Sequence, residues 1–305
     1  MLILGEQHQF TEQELKTLHK KFKTIDFIKY KNMNIQEVIN QISSITSNKH
    51  KIVLVLNTKA IVPDELLKYL TKLEKKGINY IGIQRFMEKY LYKCYIPSKL
   101  RDISFLENIQ PFSRFQYIQK RTIDYGSSIL LLLLTFPIML YAVYRIKKES
   151  PGPIFFKQSR IGKQGEPFTC IKFRSMYANS EHNPYTQKND KRIFPWGATM
   201  RKLRIDELPQ IFNVLKGEMH FIGPRAEWDI LVDNYEQKIP YYHERHIIRP
   251  GITGWAQVNY PYGENAFDAK QKLMYDLYYI KHWSLGIELK TIWKTFMVVL
   301  GKKGI

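Results

Sequence analysis

The chain has 305 residues, room for two modest domains, and its 47 Lys and Arg against 28 Asp and Glu give a formal charge of +19. Beyond mere solubility, such an excess points to nucleic acid or to an anionic cytoplasmic leaflet as partner. The two cysteines, Cys94 and Cys170, have neither metal-ligand nor redox spacing and imply no disulfide framework or zinc site.

The N-terminal residues are studded with Lys and Glu and lack an apolar core, so no signal peptide is expected and the chain is expected on the cytoplasmic side. Met1–Leu4, Ile25–Tyr30, Lys51–Asn57 and Ile78–Ile83 read as strands. Thr11–Phe22, Ile35–Ile45 and Pro63–Lys75 read as the helices between them. Such alternation predicts a small parallel α/β sheet. Its first strand–helix turn, Gly5-Glu-Gln-His-Gln-Phe10, carries one glycine, too few for a dinucleotide fingerprint, so a structural or regulatory role is expected.

Pro111–Gln119 reads as a short linker. Tyr125–Tyr144 then runs without a charge and includes five consecutive leucines, Leu130–Leu134. Its length matches a hydrocarbon core of about 30 Å. Basic residues flank both ends, Lys120 and Arg121 before it and Arg145, Lys147 and Lys148 after it. Cations favour the cytoplasmic side, so flanks of one sign predict a segment that enters and returns on one face. Pro137 inside the run predicts a kink. A re-entrant helix over about 120–148 is therefore expected, and a lipid surface rather than nucleic acid is the expected partner of the basic charge.

From Ser150 onward the pattern is polar mixed α/β. Pro151-Gly152-Pro153 ends the helix, Ile154–Phe156 and Phe168–Phe173 read as short strands, and Glu181–Trp196 reads as a mobile loop near a site. Tyr275–Leu300 mixes Trp283, Trp293 and Phe296 with Lys281, Lys290 and Lys294, which suits either an interfacial helix or an ordinary packed surface helix. The eight histidines make no ligand motif; His243 and His246 are three apart with no evident third partner.

The chemistry concentrates in residues 201–227. Asp206 and Glu207 are adjacent carboxylates at the start of a helical pattern (Leu208, Ile211, Phe212, Leu215), preceded by Arg201, Lys202 and Arg204. Side chains adjacent on a helix diverge by about 100°, so one carboxylate can attack phosphorus while the other orients a metal or moves a proton. A helix N-terminus favours both a carboxylate and a substrate phosphate. Gly223-Pro224 fixes a turn that presents Arg225, whose guanidinium can grip a phosphate bidentately. Arg160, Lys172 and Arg174 form a further basic group, and Arg249-Pro-Gly-Ile-Thr-Gly-Trp-Ala-Gln257 reads as a rigid loop framing a pocket. Taken singly, each has an equally good reading as a solvated cation or a structural turn.

Together, in order, these segments resemble the bacterial sugar transferases, the monotopic polyprenyl-phosphate phosphoglycosyl transferases. The resemblance runs from about Gln119 to Leu300. It rests on Lys120-Arg121-Thr-Ile-Asp124, Pro151-Gly-Pro-Ile-Phe-Phe-Lys-Gln-Ser-Arg-Ile-Gly162 and Phe168-Thr-Cys-Ile-Lys-Phe-Arg-Ser-Met176. It continues through Arg204-Ile-Asp-Glu-Leu-Pro-Gln210, Asn213-Val-Leu-Lys-Gly-Glu-Met219, Phe221-Ile-Gly-Pro-Arg225 and Arg249–Val258. It implies an α/β architecture: a small Rossmann-like N-terminal domain, 1–112, before a membrane-anchored catalytic domain, 113–305, with a re-entrant helix and interfacial amphipathic helices. The implied reaction transfers a sugar 1-phosphate from a UDP-sugar to undecaprenyl phosphate, releases UMP and starts a lipid-linked glycan. Asp206 would be the nucleophile. Glu207 would bind Mg²⁺ with Asp206 and tune the acceptor's deprotonation, and Arg225, Lys172, Arg174 and Arg204 would bind substrate phosphates. The implied location is the cytoplasmic face of a bacterial inner membrane, compatible with a homodimer.

Two departures stand out. Some members carry Ser-Pro at the kink, where this chain has Thr135-Phe136-Pro137. Small members often follow Gly-Trp-Ala-Gln-Val-Asn with Gly-Arg, where this chain has Tyr260-Pro-Tyr-Gly263, so no contact of that arginine carries over. The competing readings are a non-catalytic basic adaptor at the membrane surface and a nucleic-acid-binding protein. The second leaves the uncharged run without a purpose, and the donor sugar is not legible.

Overall fold

The computed structural model describes residues 1–29, 33–47, 52–58, 62–75, 77–97, 109–180, 190–261, 263 and 265–301. The chain divides into two compact units, Met1–Tyr95 and Ile96–Ile305. It is α/β, with a parallel sheet and one long apolar helix.

The first unit alternates strand and helix throughout: β1 (Leu2–Leu4), α1 (Glu12–His19), β2 (Asp26–Ile28), α2 (Ile35–Ser47), β3 (Val53–Leu56), α3 (Asp64–Glu74), β4 (Asn79–Gly82) and α4 (Ile83–Leu91). The strands are all parallel, in the order β2-β1-β3-β4. Leu2, Leu4 and Leu54 pack with Val38 and Ile42 of α2 and Leu66, Leu70 and Leu73 of α3, the helical spacings that put one apolar stripe on the sheet. The turn after β1 is closed by protein. Gly5, at φ +98°, has the Asn57 carbonyl oxygen where a Cβ would stand, 2.4 Å away. The Asn57 side chain donates to the carbonyls of Gly5 and His8 and accepts from the His8 amide.

The second unit begins with α5 (Arg114–Glu149), 36 residues opened by a capping box between Ser113 and Gln116. The expected linker thus ends earlier than Gln119, because the capping box starts the helix inside it. The helix spans about 54 Å at 1.5 Å per residue and stays helical through Pro137. The Thr135 hydroxyl donates to the Leu131 carbonyl at 2.7 Å. The carbonyl that Pro137 leaves without its amide is that of Leu133, four residues back, so this hydroxyl does not replace the lost bond. One face of α5 is covered: Met139, Ala142 and Ile146 pack on Phe173, Phe194 and Met200. The other is bare and apolar, with Leu133 and Leu134 about two-thirds exposed (70% and 67%) beside Ile129, Leu130, Phe136 and Leu140.

The cations that precede the apolar run are not solvent-facing flanks. Lys120 is fully buried (0% exposed), its Nζ 2.7 Å from Asp124 Oδ1 and 2.6 Å from Glu288 Oε1. Arg121 donates to the carbonyls of Val214 and Met219. Asp124 in turn accepts from the Phe221 amide and lies 2.6 Å from His220 Nδ1. Their charge serves internal pairing, so the topological argument from basic residues does not apply at that end.

After α5 come the antiparallel hairpin β5 (Phe155–Ile161) and β6 (Pro167–Phe173), then α6 (Pro195–Leu203), α7 (Gln210–Lys216), β7 (His220–Ile222) and α8 (Asp229–Lys238). A 3-10 helix, Tyr242–Ile247, leads to β8 (Gly251–Thr253), which pairs in parallel with β7. The hairpin strands are longer than their apolar runs suggested, because the polar residues Lys157–Arg160 continue the ladder. Of the expected loop Glu181–Trp196, residues 181–189 lie outside the described residues, and α6 begins at Pro195. The C-terminal pattern is not one helix: α9 (Trp255–Asn259) precedes α10 (Ala266–Lys281) and α11 (Leu285–Leu300), the last N-capped by Ser284. Trp283, between α10 and α11, is buried, while Leu289, Trp293 and Phe296 of α11 are exposed. Glu288 accepts from Tyr279 and Trp283 as well as from Lys120.

Removing one partner of a buried ion pair leaves an uncompensated charge and costs about 3–5 kcal/mol. Lys120→Met is expected to destabilise the second unit by that amount, read as denaturant unfolding in detergent micelles. The double variant Lys120→Met/Glu288→Leu is expected to recover part of the loss.

Candidate active site

Asp206 and Glu207 lie in a single 3-10 turn, Ile205–Glu207, not in the first turn of an α-helix. The turn is possible because Arg204 takes the left-handed conformation (φ 58°, ψ 20°), ending α6 and starting the 3-10 turn in one residue. A bulky side chain is rarely found there, and such backbone strain gathers at functional sites. With three residues per turn, adjacent side chains diverge by about 120°, so the two carboxylates face different surroundings.

Both are 8% exposed, and both line a cavity of about 510 Å³ in which basic side chains outnumber acidic ones. Glu207 is held on several sides: Lys172 Nζ is 2.8 Å from Oε1, Arg225 Nη1 3.7 Å from the same oxygen, and Arg204 Nη1 3.9 Å from Oε2. Burial opposes its ionisation, but Lys172, Arg225 and Arg204 outweigh burial and hold its carboxyl well below the usual range. Asp206 is the reverse case. Burial and the neighbouring Glu207 charge push it up, and Lys172, Arg201 and Arg204 offset this only in part. Its Oδ1 is buried with no hydrogen-bond partner among the described residues. One carboxylate is thus fixed and ionised, and the other lines the cationic cavity with one of its oxygens buried and unsatisfied.

Of the expected phosphate ligands, Lys172 sits on β6 and Arg225 on the turn after β7, and both reach Glu207 with Arg204. Arg174 differs. Its guanidinium donates to the Pro153 and Ser150 carbonyls at 2.6 and 2.5 Å and also to the Ser150 hydroxyl. It fastens the end of α5 to β6 and also lines the cavity. Arg160 donates to the Ala226 carbonyl at 3.1 Å, tying the hairpin to the strand of backbone that carries Arg225.

The two glycine motifs meet each other. A Cβ on Gly251 would stand 2.1 Å from the Gly223 amide nitrogen, and one on Gly254 2.1 Å from the Gly223 carbonyl oxygen. Only glycine permits that approach, and it sets the position of Arg225. Arg245 completes the support: it donates to the Arg225 carbonyl (2.9 Å), to Asp276 (2.9 Å) and to the Tyr242 hydroxyl (2.7 Å). Burial pushes Asp276 up to about 6, with Arg245 opposing. Arg245, Asp276, Glu227 and Lys272 escaped the sequence reading. A lone acidic residue between Tyr275 and Leu277 in an apolar helical run was the available signal for Asp276.

Two adjacent carboxylates, one with an unsatisfied oxygen, form a hard oxygen donor set of the kind Mg²⁺ prefers. Because Glu207 is already engaged by Lys172, Asp206 is the better placed of the two to meet a metal.

A family model described as bacterial sugar transferase matches residues 115–302. A UDP-N-acetylgalactosamine-undecaprenyl-phosphate N-acetylgalactosaminephosphotransferase of Aeromonas hydrophila is 45% identical over 197 residues, 64% of this chain and 46% of that protein. A UDP-glucose:undecaprenyl-phosphate glucose-1-phosphate transferase of Xanthomonas campestris pv. campestris is 43% identical over 181 residues, 58% of this chain and 37% of that one. An uncharacterized sugar transferase of Bacillus subtilis (strain 168) is 39% identical over 192 residues, 62% of this chain and 90% of that protein. The chain thus spans less than half the length of the first two relatives, and the matched part is nearly the whole of the third. By this match and by the motifs assembled around Asp206, the chain belongs to the bacterial sugar transferase family.

Proposed function

We propose that this chain transfers a sugar 1-phosphate from a UDP-sugar to a polyprenyl phosphate, through a phosphosugar carried on Asp206. The observation that carries the reading is the opposed state of the carboxylate pair: Glu207 neutralised by Lys172, Arg225 and Arg204, and Asp206 buried with an oxygen unsatisfied. The relatives named for undecaprenyl-phosphate sugar phosphotransfer support the same reaction class.

In the first step an Asp206 oxygen attacks the phosphorus that bears the sugar. The bond from that phosphorus to the bridging oxygen breaks, and UMP leaves with the oxygen and the electron pair. In the second, an oxygen of the lipid phosphate attacks the same phosphorus, the bond to Asp206 breaks, and the carboxylate is restored beneath a sugar-diphosphate lipid. Lys172, Arg204 and Arg225 stabilise the charge that moves across the phosphorus in both steps. Mg²⁺, held by Asp206 and Glu207 with substrate phosphate oxygens, would supply further neutralisation of the diphosphate.

A re-entrant placement of α5 is supported by its packing. Lys120 and Asp124 near one end bind β7 and α11, while Met139, Ala142 and Ile146 near the other pack on β6 and α6. A helix spanning the bilayer would have to send its two ends to opposite sides, yet both are fastened to one polar unit. The bare face between them, with the exposed apolar stripe of α11, suits insertion into the cytoplasmic leaflet, where a lipid phosphate and a soluble nucleotide both reach Asp206.

The test is UMP release from a panel of UDP-sugars with Mg²⁺ and undecaprenyl phosphate. Turnover is expected for one donor class, with a loss of about 10³-fold or more in Asp206→Asn. Folded protein that releases UMP from none of them, or a fully active Asp206→Asn, refutes the reading and favours a non-catalytic adaptor.

The raised pKa of Asp206 gives a pH dependence of definite sign. The attacking form is the carboxylate, so the single-turnover rate without lipid should rise with pH through a midpoint above the ordinary Asp value of about 3.9. Lys172→Met removes a cation that lowers this pKa and is expected to move the midpoint up. A midpoint that stays put or moves down contradicts the assignment.

A further inference from the structure

Outside the catalytic cavity, one cluster brings together three metal-ligating side chains. His243 and His246 lie in the 3-10 helix Tyr242–Ile247, which Tyr241 enters with φ at 59°. In 3-10 geometry residues i and i+3 eclipse, whereas an α-helix would turn them apart by about 60°, so the two imidazoles share one face. Glu236 of α8 supplies the third partner that the sequence did not reveal. Its Oε1 lies 3.0 Å from His243 Nδ1 and 3.9 Å from His246 Nδ1. The ligand atoms offered by the three residues all lie within 4.8 Å of one another.

An ordinary surface ion pair accounts for Glu236 and His243, which are exposed. It does not account for His246. That ring is 6% exposed, and its Nδ1 is buried without a hydrogen-bond partner among the described residues. An imidazole nitrogen withdrawn from water and given no partner costs stability unless something else binds it.

We propose that Glu236, His243 and His246 form a three-ligand site for a borderline divalent transition metal, best fitted by Zn²⁺, with the remaining position open to solvent. Two imidazole nitrogens and one carboxylate oxygen suit zinc, while Mg²⁺ prefers oxygen ligands alone. Tetrahedral zinc at about 2.1 Å from each ligand sets them about 3.4 Å apart. The two pairs that Glu236 makes, at 3.0 and 3.9 Å, bracket that spacing, and all three ligand atoms lie within 4.8 Å, so side-chain adjustment is what draws the set together. The consequence is mechanical. Tyr242 and Arg245 lie in the same 3-10 helix as the two histidines, Tyr235 precedes Glu236, and all three line the catalytic cavity. A metal here pins α8 to the 3-10 helix and steadies Arg245 where it holds the Arg225 carbonyl.

The test is a zinc titration of untagged full-length protein in detergent against a chromophoric chelator, with Mg²⁺ in excess. One Zn²⁺ per chain is expected, with an upward shift of the unfolding temperature on loading. Glu236→Gln and His243→Asn, both at exposed positions, should each weaken zinc by more than the about 10- to 100-fold that loss of an outer-shell partner costs, and His243→Asn should abolish the tetrahedral absorption of a Co²⁺-loaded sample. Asp206→Asn should bind zinc unchanged. Absence of stoichiometric binding, binding indifferent to both variants, or binding lost only with Asp206→Asn overturns the proposal. All of these readouts are independent of whether the transferase reaction occurs.

Discussion

The arrangement of the second unit depends on a buried ionic knot. Lys120, fully inaccessible, joins Asp124 on its own helix to Glu288 on α11. Asp124 engages His220 and the Phe221 amide, and Arg121 takes the Val214 carbonyl of α7 and the Met219 carbonyl just beyond it. Burial holds His220 down to about 4, so it meets Asp124 as a neutral ring at physiological pH. Through this knot the long apolar helix α5 is fixed to both elements that build the site: α7, which follows the Asp206–Glu207 turn, and β7, which precedes Arg225. Such pairs add little net stability but penalise every arrangement in which a charge is left alone. The knot therefore sets where the apolar surface lies relative to the carboxylates, as the proposed transfer from a soluble nucleotide to a lipid phosphate requires.

Within the site, the same burial acts on two neighbouring carboxylates with opposite results. Glu207 meets Lys172, Arg225 and Arg204 directly and stays ionised; Asp206 has fewer close cations and a charged neighbour, and its carboxyl is pushed up. A 3-10 turn makes this possible by sending consecutive side chains into different surroundings, and the left-handed Arg204 makes the turn possible. The close approach of Gly223 to Gly251 and Gly254 then sets the backbone from which Arg225 reaches Glu207.

Local pattern carried much of this. Alternating apolar runs of two periods disclosed the parallel sheet and helices of the first unit, and the uncharged run from Tyr125 disclosed the long apolar helix. The order of the motifs disclosed the family. What stayed hidden depends on contacts distant in sequence. Lys120 and Arg121 read as solvent-facing flanks because nothing nearby announces Glu288 or the end of α7. The tie of Arg174 to the end of α5 was hidden because its acceptors, the carbonyls of Ser150 and Pro153, are backbone groups carrying no signature. Glu236 could not be joined to His243 and His246 without knowing that their segment is a 3-10 helix packed beside α8. The C-terminal break at Trp283 was masked because aromatic residues suit a buried corner and a lipid-facing helix equally.

The central claim is that Asp206 carries the sugar phosphate. The most direct measurement is mass spectrometry of protein incubated with its UDP-sugar and Mg²⁺ in the absence of lipid phosphate, acid-quenched and digested. The account predicts a gain of one sugar phosphate on the peptide containing Asp206, discharged on adding undecaprenyl phosphate and absent from Asp206→Asn. An adduct on another residue, or turnover with UMP release and no adduct at any time before lipid is added, would contradict it.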